Sequence, residues 1–286
     1  MKILVTGAKG QLGCEMMARA GASRHTYVFT DVSEDAARGI GQLDITEPDA
    51  VPEDVDVIIN CAAYTDVNKA ETDEQTAMKV NSCAPALLAN AAKASGAMLI
   101  HISTDYVFDG KSDRPYKEDD AAAPLNAYGR TKLAGEKAIV ETGCRYMIFR
   151  TAWLYSNHGR NFFLTMARLT AEKEEINVVD DQRGTPTYAG DLADLIYNIV
   201  ENETFEATGI YHFTDEGDCS WYDFASAINT MLGHSCSVRA CRTEDYPSPA
   251  LRPACSILDK TKIKDTFGID IPHWRDSLSK AINEYL

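Results

Sequence analysis

The chain is short of positive charge. Its 286 residues hold 28 Lys and Arg against 43 Asp and Glu, a formal net charge of −15 at pH 7. A surface of that sign repels a phosphate backbone, so nucleic acid is not an expected partner. A nucleotide ligand stays open, because loop amides and a few local cations can hold phosphates. No apolar run approaches the roughly 20 residues that span a bilayer, so no membrane is expected either. The eight cysteines, at positions 14, 61, 83, 144, 219, 236, 241 and 255, form no CxxC pair and have no histidine-rich partner motif. That pattern argues against zinc and reads as scattered reduced thiols. The start, Met1-Lys2-Ile3-Leu4-Val5-Thr6-Gly7, passes straight into a strand with no cleavage region. A cytoplasmic protein is the expectation. Repeats, low-complexity segments and long linkers are also missing.

What is present is a globular composition, 45% hydrophobic and 25% charged. The length suits one large domain or two modest ones. The first half alternates short apolar runs with helical stretches. The pattern predicts strands at about 2–6, 26–30, 55–60, 98–103 and 145–150, with helices at about 11–20, 74–95 and 128–141. Near-continuous apolar strands alternating with helices argue for a parallel sheet covered on both faces. Right-handed crossovers then give a Rossmann-type doubly wound α/β fold. Residues 1–150 form the expected dinucleotide-binding domain. Residues 151–286 form mainly a smaller α/β substrate domain, with segments around 176–216 free to return to the first sheet.

Gly7-Ala8-Lys9-Gly10-Gln11-Leu12-Gly13 follows the first strand and opens the first helix. Glycines there let the backbone turn tightly, approach a pyrophosphate and pack the helix on the sheet. The helix N-terminus then faces the phosphates. Gly7, Gly10, Gln11, Leu12 and Gly13 are therefore cofactor candidates. Asp31 ends the stretch Val28-Phe29-Thr30-Asp31, near the spacing of an acid that accepts from the adenosine ribose. It favours NADH over NADPH, and Lys9 leaves use of both open. Asp44 and Ile45 are candidates beside the adenine. Ala62, Ala63 and Thr65, after the third strand, offer small side chains against which a cofactor can lie.

The fourth strand leaves at its carboxyl end through Ser103-Thr104-Asp105-Tyr106. Ligands of open α/β sheets bind outside such ends. Tyr128 and Lys132 follow on a helix at i and i+4, which places them on one face. A phenol beside an ammonium suits carbonyl reduction, since the positive charge favours the phenolate and eases proton release.

These residues resemble the extended short-chain dehydrogenase/reductases. Further strings are similar to the dTDP-4-dehydrorhamnose reductase family within them: Cys61-Ala62-Ala63-Tyr64-Thr65-Asp66-Val67, Ser103-Thr104-Asp105-Tyr106-Val107-Phe108-Asp109-Gly110, Arg150-Thr151-Ala152-Trp153-Leu154-Tyr155, Asp181-Gln182-x-Gly184-x-Pro186-Thr187 and Leu251-Arg252-Pro253. The resemblance covers essentially the whole chain. It implies reduction of the C4 ketone of a dTDP-sugar, with Tyr128 giving a proton to the oxygen. Lys132 would supply the field on the phenol and bind the nicotinamide ribose. Thr104 would orient the substrate oxygen, with Asp105 and Tyr106 beside it. Trp153 would lie against the sugar and Arg252 near the diphosphate. Some members join as dimers through magnesium held by glutamates. Glu15 matches the first of these, but Gly190 stands where another is wanted, and the chain stops early. No metal is therefore expected, and a monomer or weak homodimer is. Cys255 stands where the pattern often has asparagine. Two other readings stay open: a nucleotide-sugar epimerase or dehydratase, and a non-catalytic binder like the regulatory subunit of methionine adenosyltransferase.

Overall fold

The structure, a computed structural model, describes residues 1–47, 51–52 and 54–286. The first strand, Lys2–Thr6 (β1), alternates its apolar side chains between two faces. Ile3 and Val5 enter one core, where α1 (Gln11–Ala20) brings Leu12 and Met16. Leu4 enters the other. This is the period of two that a strand imposes. Both faces are apolar because both are covered. The remaining elements of this half are β2 (Thr26–Asp31), β3 (Ile40–Gln42), β4 (Val57–Asn60), α2 (Val67–Ala70), α3 (Glu74–Met78), α4 (Ala84–Ser95), β5 (Met98–Thr104), α5 (Ala127–Thr142) and β6 (Arg145–Thr151).

Six of these strands and Gly209–His212 make one parallel sheet. Its order is Gly209–His212, β6, β5, β4, β1, β2, β3. The chain order reverses at β1, which pairs β2 on one side and β4 on the other. That reversal opens a crevice at the carboxyl ends of the strands. Gly209–His212 takes the edge beside β6, and the helix Ala189–Glu201 packs with α1 on the same core. The strand Glu175–Val179 does not join this sheet. It pairs with Ser237–Cys241 in a separate two-stranded parallel ribbon, whose partner strand the sequence pattern did not disclose. A second core, with Tyr155, Phe163, Phe224, Trp274 and Leu278, supports this smaller layer.

The helix expected over 74–95 is interrupted. A wide π-helical turn at Lys79–Cys83 separates α3 from α4. Pro85 sits in the first turn of α4. Lacking an N–H, it cannot donate to the carbonyl of Asn81 four residues back. The helix α5 packs into this place through Gly135, where a Cβ atom would lie 2.0 Å from the Asn81 carbonyl oxygen. The Asn81 side chain is equally committed. Its amide Nδ2 donates to the Tyr64 carbonyl (3.0 Å) and the Thr131 hydroxyl (3.1 Å), and its Oδ1 accepts from the Tyr64 N–H (2.8 Å). The wide turn thereby fixes α5 against the loop that follows β4.

Among the described residues, no helix is long and apolar enough to cross a membrane.

Candidate active site

A cleft of about 940 Å³ lies along the carboxyl ends of the strands and continues between the two layers. Its floor begins at the glycine loop. Gly7 has φ +67°, and a Cβ there would meet the Ala62 nitrogen at 2.6 Å. Only glycine lets the loop lie on the β4 exit this closely. Gly10 precedes α1 and gives it no side-chain cap. The first N–H groups of that helix have no partner within the helix and face a site for an anion.

Asp31 ends β2 and accepts from the Lys9 N–H through Oδ2 (3.0 Å). The Lys9 ammonium turns away, donating to the Ser33 hydroxyl (2.9 Å) and the Glu34 carbonyl (3.0 Å). Asp44 is occupied locally. Its Oδ1 accepts from the hydroxyl and the N–H of Thr46, which hold its carboxyl below the ordinary range.

The reactive end is built by β5 and α5. Asn126 caps α5 by accepting from the Gly129 N–H (2.8 Å), and the Glu71 carboxylate accepts from the Ala127 N–H (2.7 Å). Each satisfies an N–H that the helix leaves open. The same Asn126 amide donates to the Leu251 carbonyl (2.8 Å), tying the helix that carries Tyr128 to the loop that carries Arg252. Burial raises the Tyr106 phenol, the Arg252 charge opposes that rise, and the Tyr106 ring stands edge-on to Tyr128 at 5.9 Å. Thr104 donates to Asp105 Oδ1 (3.0 Å) and accepts from the Tyr106 N–H (3.2 Å). Burial pushes the Asp105 carboxyl up to about 6, against the pull of the Ser256 and Thr104 hydroxyls. Among the described residues its Oδ2 has no hydrogen-bond partner.

Two spacings interlock beneath this end. On β5, positions 101 and 103 share a face; on α5, positions 132 and 136 do. His101 meets Lys132, and Ser103 donates to Glu136. Glu136 also receives the Arg150 guanidinium of β6, at 2.7 Å between Nη2 and Oε2. Both partners of that pair are buried.

The electrostatics of Tyr128 differ from the expectation. Burial raises the phenol well above its ordinary value, only partly offset by the Thr104 hydroxyl. Among the described residues it is the Thr104 hydroxyl, and not the Lys132 charge, that eases the shift. The Lys132 Nζ donates inward to the Ile102 carbonyl (2.6 Å), and burial pushes its own ionisation down to about 8.

All the residues expected for cofactor or substrate line this one cleft except Gly13. Gly13 packs behind the loop, where a Cβ would meet the Gly7 carbonyl oxygen at 2.3 Å. The sequence reading passed over Trp221, Phe162, Arg160 and Lys79, which also line it. Trp153 has a left-handed backbone (φ +48°), and its ring stacks on Trp221 at 3.5 Å with an 11° tilt. The Ser220-x-x-Asp223 capping box marked where that helix begins, and so where Trp221 would stand at its mouth. The cations of Arg160 and Lys79 left no such signal.

Glu15 and Gly190 lie apart from the cleft. The Arg19 guanidinium bonds Glu15 Oε2 (2.9 Å), Asp194 Oδ1 (2.6 Å) and the Gly190 carbonyl (2.7 Å). Among the described residues, no group of three or more His, Cys, Asp or Glu is placed to hold a metal ion.

A glycine loop at the switch point and a Thr-Tyr-Lys group at the end of β5 define a Rossmann-fold dehydrogenase/reductase. The whole chain, residues 1–286, matches the RmlD substrate binding domain family. It is 40% identical over 300 residues to dTDP-4-dehydrorhamnose reductase of Burkholderia thailandensis, covering 100% of this chain and 99% of that one. Among solved structures, a dTDP-4-dehydrorhamnose reductase from Clostridium acetobutylicum superposes with a TM-score of 0.91 at 41% identity, covering 99% of both chains. The Bacillus anthracis reductase, solved in complex with NADP, gives 0.89 at 35% identity over 99% of both. The chain belongs to the dTDP-4-dehydrorhamnose reductases, a family of oxidoreductases.

Proposed function

We propose that this chain reduces the C4 ketone of dTDP-4-dehydro-L-rhamnose to dTDP-L-rhamnose, with a nicotinamide nucleotide as co-substrate. The observation that carries the reading is the meeting of Thr104, Tyr128 and Lys132 with the glycine loop in one cleft. The residues present fit a dinucleotide, because the space beside Gly7 would be filled by any side chain. Gly7, Gly10, Gln11 and Leu12 would hold the pyrophosphate, Asp31 the adenosine ribose, and Asp44 and Ile45 the adenine side. Ala62, Ala63 and Thr65 would flank it, and Lys132 would take the nicotinamide ribose. A bound reduced nicotinamide supplies hydride.

Tyr128 then holds the proton that the C4 oxygen requires. Its high proton affinity in the buried site keeps it protonated at neutral pH, so it enters the reaction as an acid. Thr104 orients the ketone oxygen. Asp105, with an unpartnered oxygen, suits a sugar hydroxyl. Trp153 forms an apolar wall for the sugar and Arg252 meets the diphosphate. Residues 151–286 supply mainly this substrate side, and residues 1–150 mainly the cofactor side.

NADH is the favoured donor, since the Asp31 carboxylate opposes a 2′-phosphate. The Lys9 ammonium, held over Ser33 and Glu34 just past Asp31, leaves NADPH usable, and the Bacillus anthracis relative was solved with NADP. We place the protein in the cytoplasm as a monomer or weak homodimer that works without a metal. Its eight free thiols suit a reducing compartment.

Purified protein with dTDP-4-dehydrorhamnose should oxidise added NADH and NADPH, with the lower KM for NADH. Tyr128→Phe should lower kcat by about two to four orders of magnitude while leaving cofactor affinity intact. Near-wild-type turnover in that variant would remove Tyr128 from the mechanism.

A further inference from the structure

A row of polar side chains crosses the sheet just below the cleft. Thr6, Asn60 and His101 are register partners on β1, β4 and β5. All three are buried in largely apolar strands. Such groups are retained when their hydrogen bonds are complete. Here they form one chain. The Thr6 hydroxyl donates to Asn60 Oδ1 (2.8 Å), and so does the Ala62 N–H (3.2 Å). Asn60 Nδ2 meets His101 Nδ1 at 2.9 Å, and His101 Nε2 meets Lys132 Nζ at 3.4 Å.

The direction of this chain is not free. A backbone N–H can only donate, so the Ala62 amide fixes the Asn60 oxygen on its own side. Asn60 Nδ2 must then donate to His101 Nδ1. An imidazole nitrogen that accepts carries no proton, so the neutral ring bears its hydrogen on Nε2. That N–H points at Lys132. An ammonium has three donors and no acceptor, whereas a neutral amine offers a lone pair.

We propose that His101 is a positioning residue that poises Lys132 to release and regain a proton, by donating Nε2–H to the neutral amine. The proposal rests on the reductase reading of the cleft. In each turnover Tyr128 loses its proton to the C4 oxygen. The Lys132 ammonium gives one proton to the phenolate and becomes a neutral amine. The His101 N–H stabilises that amine until a solvent proton restores the ammonium. The net uptake is one proton per hydride, as reduction of a ketone to an alcohol requires.

The surroundings agree. Burial, with the Lys132 charge beside it, holds the His101 ring neutral well below its ordinary value. Burial likewise lowers Lys132, with the Glu136 carboxylate opposing the shift. Lys132 has Tyr128 one turn before it and Glu136 one turn after it on α5, His101 and the Ile102 carbonyl of β5 on its Nζ, Asn60 of β4 behind His101, and Ser103 and Arg150 behind Glu136. Glu136 is already matched by Arg150 and Ser103, so His101 is the contact whose donor faces Nζ.

Nitrogen-15 spectra of the whole protein labelled in its histidines test the tautomer without any substrate. His101 should be neutral with the proton on Nε2 at every pH at which the chain is folded. A proton on Nδ1, or an imidazolium, overturns the proposal. Reduction falls as pH rises through the Lys132 ionisation, so the basic limb of kcat/KM reads that group. His101→Leu removes the donor and should move the limb up by about 0.5–1 pH unit. His101→Gln, whose amide N–H₂ reaches the Nε2 position, should restore the wild-type limb. An unmoved limb in the folded Leu variant overturns the positioning role. Absence of turnover in the wild-type protein would instead fault the reductase reading and leave the tautomer measurement standing.

Discussion

Asp105 offers a sharp test of how the cleft treats charge. Its carboxyl is buried at the end of β5 and pushed from the ordinary 3.8 to about 6. Between those two values the folded chain holds a proton that the unfolded chain has released. Stability associated with this group is therefore complete below about 3.8 and is lost as pH rises to about 6. The interval is about 2 pH units, and each is worth about 1.4 kcal/mol, so the loss comes to about 3 kcal/mol. Asp105→Asn keeps the shape and cannot ionise. Urea unfolding of both proteins from pH 4 to 7 should show the variant gaining on the wild type by about 3 kcal/mol across that window. Other carboxyls titrate alike in both proteins and drop out of the difference. Asp120, for example, is held near 2 by hydrogen bonds from Arg114 and stays ionised in the folded chain throughout. A flat difference between the two proteins would refute the reasoning. It would mean that the Ser256 and Thr104 hydroxyls compensate the buried charge in full.

Glu136→Gln leaves the Arg150 guanidinium buried without its counter-charge, and should cost about 3–5 kcal/mol in chemical denaturation; a cost under about 1 kcal/mol would show that water reaches the pair. Trp221→Ala removes the ring on which Trp153 stacks. It should raise the KM for the sugar nucleotide about 3–10-fold with little change in cofactor affinity, and an unchanged KM would take the stack out of substrate binding.

The parallel sheet was legible because its signal is local. Apolar runs such as Lys2–Thr6 and Met98–Thr104, spaced by helical stretches, report their own burial. The glycine loop was legible for the same reason, as two glycines between a strand and a helix and a third in the first turn of that helix. The chain of Thr6, Asn60 and His101 was not. Nothing beside any of the three in the sequence marks it as a partner of the others, and only the register of three strands brings them into line. Trp221 lies 68 residues beyond Trp153 in the sequence, and nothing local pairs them. The electrostatics of Tyr128 failed for a related reason. Spacing on a helix puts Lys132 on the same face, but it does not say that Nζ is drawn inward by the Ile102 carbonyl. The separation of Glu175–Val179 from the main sheet depended on Ser237–Cys241, a short and largely exposed strand with little hydrophobic pattern.

The wide turn at Lys79–Cys83 has a consequence for changes in chain length. A π-helical turn carries about one residue more than the α-helical turn it replaces. Removing one residue between 79 and 83 would leave a regular helix that is easy to form. Because the wide turn already absorbs that extra residue, one ordinary turn covers nearly the same rotation, and the helix beyond keeps its face. Leu88, Ala89 and Ala92 would stay on the sheet, whereas the Asn81 amide, inside the turn, would lose the loop at Tyr64 and the hydroxyl of Thr131. A one-codon deletion here should therefore disturb the sheet packing far less than the same deletion inside Ala84–Ser95, its cost falling on the contacts of Asn81.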